Sequence, residues 1–332
     1  MNRRTAILGS VSLWAVMTLA MPASTMAASF QPKPISIVGT AQAAAVAAAA
    51  LSYPKGVGTA ILTSAAIANL ADAVSAAPLA ETLKAPILLT TSPVAIGSAT
   101  TAELVALHVH RVVLIGADDN STLKAELPHA MTSVGYAGAN RYQTAAAVFR
   151  AVKANGGDTQ MVFYASGNNA NLTDALTVDA VASAKKAPIL LLPPTGQVPT
   201  AYTGLVNAGQ TSYVVGAAVS YHDRLPHVIP LAGVNRFVTA TLVNQKFFAH
   251  PTGIVITNAG YLMDSLVASP LAGSQGMPIV MVGTTIIPGP SFDYLASVAP
   301  RVANIVTVGS PVAISQAMVQ ALVELTKMDG QT

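Results

Sequence analysis

Short apolar runs alternate with longer amphipathic segments along most of the chain. The runs, such as TAILTS, MVFYAS and GIVIT, are rich in Val, Ile and Leu and do not alternate with polar residues. Continuous apolar runs of this kind are typical of parallel strands buried on both faces, and the segments between them have the period of helices. Short Gly, Pro and Asn turns join the two. The pattern predicts an α/β fold of doubly wound (Rossmann/Toprim-like) modules with mainly parallel sheets and right-handed crossovers.

This pattern occurs three times. Three segments align without gaps: NLADAVSAAPLAETLKAPILLT, NLTDALTVDAVASAKKAPILLL and YLMDSLVASPLAGSQGMPIVMV. In each of them an Asp precedes a Pro by fourteen residues, at Asp72/Pro86, Asp174/Pro188 and Asp264/Pro278. A repeated unit of about 95 residues has the size of a small domain. The repetition therefore indicates three tandem modules.

A second motif marks where the repeats begin. Repeat 2 has AGANRYQTAAAV from Ala137 and repeat 3 has AGVNRFVTATLV from Ala232, whereas repeat 1 has only the degenerate VGTAQAAAVAAA from Val38. In a gap-free alignment, Ala-Gln-Ala from Ala41 stands in place of Asn-Arg-Tyr. The motif predicts modules at residues 30–136, 137–231 and 232–330. No long linker separates them, so we expect them to pack together.

The N-terminus has the pattern of a secretory signal peptide. A basic start, MNRR, precedes an apolar stretch, and small residues surround a predicted cleavage point after Ala27. We expect residues 1–27 to be removed, and no later segment resembles a second membrane span. The chain contains no cysteine, which excludes disulfides and Cys-ligated metal sites.

Charge and catalytic motifs narrow the choice of function. Only 9% of residues are charged, the net charge is +3, and no Lys/Arg stripe is present, so nucleic-acid binding is disfavoured. The histidines show no H-E-x-x-H spacing, and nucleophile-elbow, P-loop and dinucleotide motifs are missing. We therefore expect no metal, no cofactor and no enzymatic activity.

The ordered motifs resemble those of the cell wall-binding repeat 2 family of Gram-positive surface proteins. The matching residues run through repeat 2 as Gly138–Ala145, Gly167–Asn169, Asp174–Leu176, Ala187–Leu191 and Val214–Gly216. The resemblance implies three tandem copies in a pseudo-threefold assembly. It also implies an exported, S-layer-associated type of protein that is held non-covalently to an anionic cell-wall polymer. Self-association is also compatible with the sequence.

The three repeated aspartates, Asp72, Asp174 and Asp264, allow two interpretations. In one, Asn69 or Asn171 caps a helix, and the Asp three residues later completes a variant of the capping box. In the other, the Asp faces a ligand crevice at the carboxyl ends of parallel strands.

The Asn-Arg-Tyr motif supplies the other candidate ligand-binding residues. Arg141 and Arg236 could bind a phosphate or carboxylate of the polymer in bidentate fashion. Alternatively, each could form an ion pair with the Asp of its own repeat. The set is completed by Asn140, Tyr142, Asn168, Asn169 and Asn235.

Three functions are compatible with this pattern. The leading hypothesis is a non-enzymatic protein that anchors to the wall polymer through weak contacts repeated across its modules. The alternatives are a cell-wall hydrolase or amidase that uses the repeated aspartates, and an extracellular solute-binding protein with a ligand between modules.

Overall fold

Residues 33–195, 197–216 and 224–328 are described by a computed structural model of the chain. The predicted signal peptide at residues 1–27 lies outside these ranges. Within them, no helix is both long and apolar enough to cross a membrane.

The described strands are short and, apart from one edge strand in each sheet, they are buried. They are β1 (Lys33–Ile37), β2 (Thr59–Ser64), β3 (Ile87–Thr90), β4 (Arg111–Ile115), β5 (Thr132–Tyr136), β6 (Met161–Ser166), β7 (Ile189–Leu192), β8 (Thr211–Val215), β9 (Val228–Leu231), β10 (Gly253–Asn258), β11 (Ile279–Val282) and β12 (Asn304–Val308).

The described α-helices follow the predicted alternation. They are α1 (Ala41–Ser52), α2 (Leu70–Val74), α3 (Ala76–Leu83), α4 (Ser98–Ala106), α5 (Ser121–Glu126), α6 (Arg141–Ala154), α7 (Leu172–Leu176), α8 (Asp179–Lys185), α9 (Arg236–Phe247), α10 (Leu262–Ser274), α11 (Gly289–Val298) and α12 (Gln316–Met328).

In the described ranges these strands form three four-stranded sheets, each entirely parallel. The strand orders are β3-β2-β4-β5, β7-β6-β8-β9 and β1-β12-β10-β11. The α/β fold of three similar parallel modules is confirmed. The predicted boundaries at 136 and 231 directly follow β5 and β9, although the division into domains at those points stays a prediction.

The first strand belongs to the last sheet. β1 pairs in parallel with β12, from Lys33 beside Asn304 to Ile37 beside Val308. The predicted boundaries assign this strand to repeat 1, yet its hydrogen bonds go to repeat 3. In each sheet, one edge strand is the strand that directly precedes the first helix of a repeat: β5 before α6, β9 before α9 and β1 before α1. Through β1, the beginning of repeat 1 is therefore hydrogen-bonded to repeat 3.

Strands in the second sheet bury side chains on both faces. Phe163 and Leu191 pack in the central core, while Tyr164 and Leu190 pack in a second core on the opposite face. This alternation explains why the strands show no polar positions in the sequence.

The central core extends through all three modules. Helices α3, α8 and α10, which follow the repeated Asp in each module, all contact one another. Their small residues permit close approach: a Cβ on Gly273 of α10 would overlap Ser183 of α8. The modules therefore share one hydrophobic core.

The prolines that follow the repeated Asp lie just before a strand. Pro86, Pro188 and Pro278 precede β3, β7 and β11, and their carbonyls accept hydrogen bonds from Ile61, Phe163 and Val255, each at 2.9 Å. A proline at this position loses no ladder bond because its missing N–H is not required there.

Clefts between the repeats as the candidate site

Each repeated Asp is the third residue of a helix and lies against a glycine of its own module. A Cβ on Gly116 would lie 2.5 Å from the Cβ of Asp72, and one on Gly309 would lie 2.9 Å from Oδ2 of Asp264. Gly216 stands in the same relation to Asp174. These glycines follow β4, β8 and β12, so each Asp is held at the carboxyl end of its sheet, where doubly wound sheets form ligand crevices.

The predicted capping box is wrong. In the described structure, the side chains of Asn69 and Asn171 accept no hydrogen bond from the helices that follow them. Each Asn ends a 3-10 turn, and Asn69 has φ −102° and ψ 0° instead of the extended backbone of a capping residue. Asp72 and Asp174 nevertheless lie in the first helical turn, where the helix dipole favours a negative charge.

The asparagine of the second motif is a helix cap. Oδ1 of Asn140 accepts from the backbone N–H of Tyr142 at 3.1 Å and of Gln143 at 3.0 Å, and Asn235 caps α9 in the same way. The hydroxyl of Thr40 makes the corresponding bond in repeat 1. These two candidate asparagines therefore have a structural role.

The position of Thr40 corrects the gap-free alignment of repeat 1. Because Thr40 is the cap, it corresponds to Asn140, and Ala41 corresponds to Arg141 as the first residue of its helix. Repeat 1 is therefore one residue shorter before its helix. The arginine is still missing from it.

The motif arginines reach back to the end of the first strand of their own repeat. Nη1 of Arg141 donates to the carbonyl of Gly167 at 2.6 Å and to Oδ1 of Asn169 at 2.5 Å. Arg236 donates to the carbonyl of Ala259 at 3.0 Å. These bonds hold each guanidinium at the carboxyl end of the sheet.

The acidic neighbour of Arg141 comes from the preceding repeat. Burial raises the pKa of Asp72, and two groups of repeat 2 act in the opposite direction, a hydrogen bond from Thr144 and the charge of Arg141. The sequence-based alternative paired each arginine with the Asp of its own repeat, whereas the charge of Arg141 acts on an Asp of the preceding repeat. The first helix of repeat 2 instead meets the Asp of repeat 1.

The same arrangement recurs between repeats 2 and 3. Asp174 and Gly216 of repeat 2 line a cleft of about 450 Å³ together with Asn235 and Arg236 of repeat 3. Asp174 and Arg236 thus occupy one cleft, formed by two repeats.

The third junction, between repeats 3 and 1, also contains a cleft. It has a volume of about 620 Å³ and is lined by Tyr261, Met263 and Asp264 of repeat 3 and by Thr40 and Ala41 of repeat 1. Here an alanine occupies the position of the motif arginine.

The remaining candidates surround Arg141. The side chains of Asn168 and Asn169 are exposed, and the ring of Tyr142 lies against Gly167. Asn140 and Tyr142 also line a smaller cavity of about 280 Å³ within repeat 2. The ten candidate residues are therefore distributed over the three junctions between repeats and do not form one common groove.

A further buried carboxyl near the first junction was not identified from the sequence. Asp118 is fully buried, and the hydroxyl of Thr90 donates to its Oδ2 at 2.8 Å. Burial raises the pKa of Asp118 to about 7, with a further contribution from the charge of Asp72, whereas the bond from Thr90 lowers it. A signal was available: the residue follows β4 and its late glycine in the segment GADDN.

The two junctions that carry an arginine combine carboxyl, guanidinium and amide groups, whereas the cleft between repeats 3 and 1 is more apolar. Among the described residues, no cluster of His, Asp and Glu could hold a metal. The fold therefore defines a protein built from three α/β repeats, with candidate sites where two repeats meet.

The chain belongs to the cell wall binding domain 2 (CWB2) family. The family model matches residues 36–121, 136–224 and 231–319, that is, all three repeats. The resemblance drawn from the motifs is confirmed, and membership of this family makes the chain a cell wall-associated protein.

Three similar proteins are each longer than this chain. N-acetylmuramoyl-L-alanine amidase LytC from Bacillus subtilis (strain 168) is 27% identical over 224 residues, which cover 64% of this chain and 43% of the amidase. Cwp6 and Cwp8 from Clostridium difficile have similar structures, with TM-scores of 0.79 and 0.78 and identities of 20% and 22%. Each comparison covers 89% of this chain, but only 48% of Cwp6 and 52% of Cwp8. The chain thus spans about half the length of these relatives, and the structural likeness shows the fold.

Proposed function

We propose that this chain is exported and attaches non-covalently to the cell wall by binding an anionic wall polymer at the two junctions that carry an arginine. The observation that carries the proposal is the position of Arg141 and Arg236. Each begins a helix at a junction between repeats, beside the Asp of the preceding repeat. A partly exposed guanidinium there retains donors for a phosphate or carboxylate group.

Two junctions of the same kind would strengthen attachment. Each would bind weakly, but a polymer that engages both converts the second contact into an intramolecular one. Near Arg141, the exposed side chains of Asn168 and Asn169 could also donate hydrogen bonds to hydroxyl groups of the polymer.

Binding is tested by sedimentation of the protein with purified wall, before and after the anionic polymer is removed. We expect retention to depend on the polymer and to weaken as salt is added, because exposed charges are screened. Equal retention on stripped wall contradicts the proposal.

The arginines are tested by substitution. We expect Arg141→Ala with Arg236→Ala to reduce wall retention at least tenfold. Since each arginine also donates to a carbonyl, the free energy of unfolding should fall by about 1 kcal/mol per site. The control is Arg301→Ala, which removes an exposed arginine of repeat 3. If both proteins are retained alike, the arginines do not bind the polymer.

An amidase or other wall hydrolase is the second candidate, because one relative is named as an amidase and because buried carboxyls lie near the clefts. Zymography on cell walls with the wild type and Asp174→Asn tests it. Clearing by the wild type that is lost in the variant would establish this alternative.

A further inference from the structure

The cleft between repeats 3 and 1 differs in charge from the other two junctions. At those junctions, Arg141 and Arg236 bring a positive charge beside the Asp of the preceding repeat. In this cleft Ala41 occupies the arginine position, and none of the described residues lining it is positively charged. Asp264 is present, however, and no described residue that lines the cleft places a cation beside it.

The carboxyl of Asp264 is buried and only partly satisfied. Its side chain is 4% exposed, and its Oδ2 has no hydrogen-bond partner among the described residues. Burial raises the pKa of Asp264 to about 6, so the carboxyl becomes charged in the range just below neutrality. A buried carboxylate without a partner is costly, and a bound cation would relieve that cost.

The walls of the cleft are apolar. The ring of Tyr261 is 42% exposed and Ile67 is 62% exposed, while the buried Met263 lies beside Asp264. An exposed aromatic face attracts a cation, and apolar walls suit the body of a small organic molecule. A volume of about 620 Å³ accommodates a ligand of monosaccharide size.

We infer that this cleft binds an organic ammonium compound with an apolar face, such as an amino sugar. The ammonium would pair with Asp264, and the body of the ligand would lie on Tyr261 and Met263. The site is separate from the arginine junctions, so the inference does not rest on their binding an anionic polymer.

The inference is tested by NMR of the full-length protein labelled at the methionine methyl groups. The resonance of Met263 is assigned with Met263→Leu and followed during additions of glucosamine, N-acetylglucosamine and glucose. We expect glucosamine to shift it at millimolar concentration, and the two neutral sugars to bind at least tenfold more weakly. Equal shifts with all three sugars, or none, overturn the inference.

The pH dependence of glucosamine binding provides a second test. Asp264 and Tyr261 are the titratable groups among the residues described as lining the cleft. Glucosamine should therefore bind more tightly as the pH rises through about 6, because the carboxyl becomes charged. Binding that is independent of pH between 5 and about 7 would exclude a carboxylate–ammonium pair.

Two variants identify the residues. Asp264→Asn should abolish the shift caused by glucosamine, and the matched Asp174→Asn should leave it unchanged. Ala41→Arg supplies the cation found at the other junctions, and we expect it to displace glucosamine from a folded protein. Binding that survives in a folded Ala41→Arg protein contradicts the inference even if Asp264→Asn fails to fold.

A wall-binding experiment distinguishes an amine that belongs to the cell wall from a soluble amine. Wall whose amino groups have been acetylated is compared with untreated wall for retention of the wild type and of Ala41→Arg. A loss of retention seen only for the wild type assigns the ammonium to the wall, whereas unchanged retention alongside glucosamine binding assigns it to a soluble amine.

Discussion

Asp179 lies in the first turn of α8, where this helix packs against α3 and α10. It is fully buried, and neither of its carboxyl oxygens has a partner among the described residues. Burial raises its pKa well above the ordinary value. The equivalent positions in the other repeats, five residues after the repeated Asp, hold Ala77 and Ser269. Repeat 2 therefore carries an unfavourable carboxyl at a position where the other repeats have small residues.

Replacing this residue should stabilise the protein. We expect Asp179→Ala to raise the free energy of unfolding by about 1–3 kcal/mol at pH 7, because an unsatisfied buried polar group is removed. The gain should shrink in acid, where the carboxyl is protonated in the unfolded chain as well. Urea unfolding at pH 4 and pH 7 measures both effects. A destabilised variant at pH 7 would mean that the carboxyl has a favourable partner.

At the scale of elements, the helices that begin each repeat start in the same way. Asn140, Asn235 and Thr40 each accept a hydrogen bond from the first turn of α6, α9 or α1. The two asparagines each satisfy two N–H groups, whereas Thr40 makes a single bond of 3.3 Å. The helix start that lacks the arginine is therefore also the one with the weakest cap.

These caps should contribute unequally to stability. Asn235→Ala should lower the free energy of unfolding by about 1 kcal/mol, since two N–H groups lose their partner. Thr40→Asn should leave stability unchanged or raise it. Thermal unfolding followed by circular dichroism compares the two, with the exposed Gln245→Ala as the control within α9. A larger loss from Gln245→Ala than from Asn235→Ala would contradict this assignment.

At the scale of the whole molecule, several carboxyls are easier to protonate in the folded protein than in the unfolded chain. Burial raises the pKa of Asp118 to about 7 and that of Asp264 to about 6, and it also raises the pKa of Asp72 and Glu103. The folded state thus binds more protons between pH 4 and about 7. Stability that depends on these groups is present in acid and is lost as the pH rises through this range.

We therefore expect the protein to be more stable at pH 4.5 than at pH 7.5. Asp118 alone should contribute about 3 kcal/mol to the difference. Asp118→Asn, which keeps an acceptor for Thr90, should flatten the profile, whereas the exposed Asp293→Asn should leave it unchanged. Urea midpoints across this pH range provide the measurement. A profile that rises with pH would show that other groups dominate.

Much of the fold and part of the candidate site could be predicted from local pattern. Continuous apolar runs indicated parallel strands because only strands buried on both faces lack polar positions. The spacing of Asp174 and Pro188 identified a repeated strand–helix–strand unit because it reflects the length of one such crossover. The capping box failed because a 3-10 turn before α7 changes the backbone at Asn171. The residue types in such a turn do not distinguish it from the start of an α-helix.

The sequence by itself determined the repeat unit, its parallel strands and the family, because these depend on residues close together in the chain. Only the tertiary structure decided that β1 completes the third sheet and that Arg141 meets Asp72 of the preceding repeat. It also decided that Ala41 and Asp264 share a cleft. These residues are far apart in the chain, and they meet because whole modules pack through their common core. Short sequence patterns do not predict that packing.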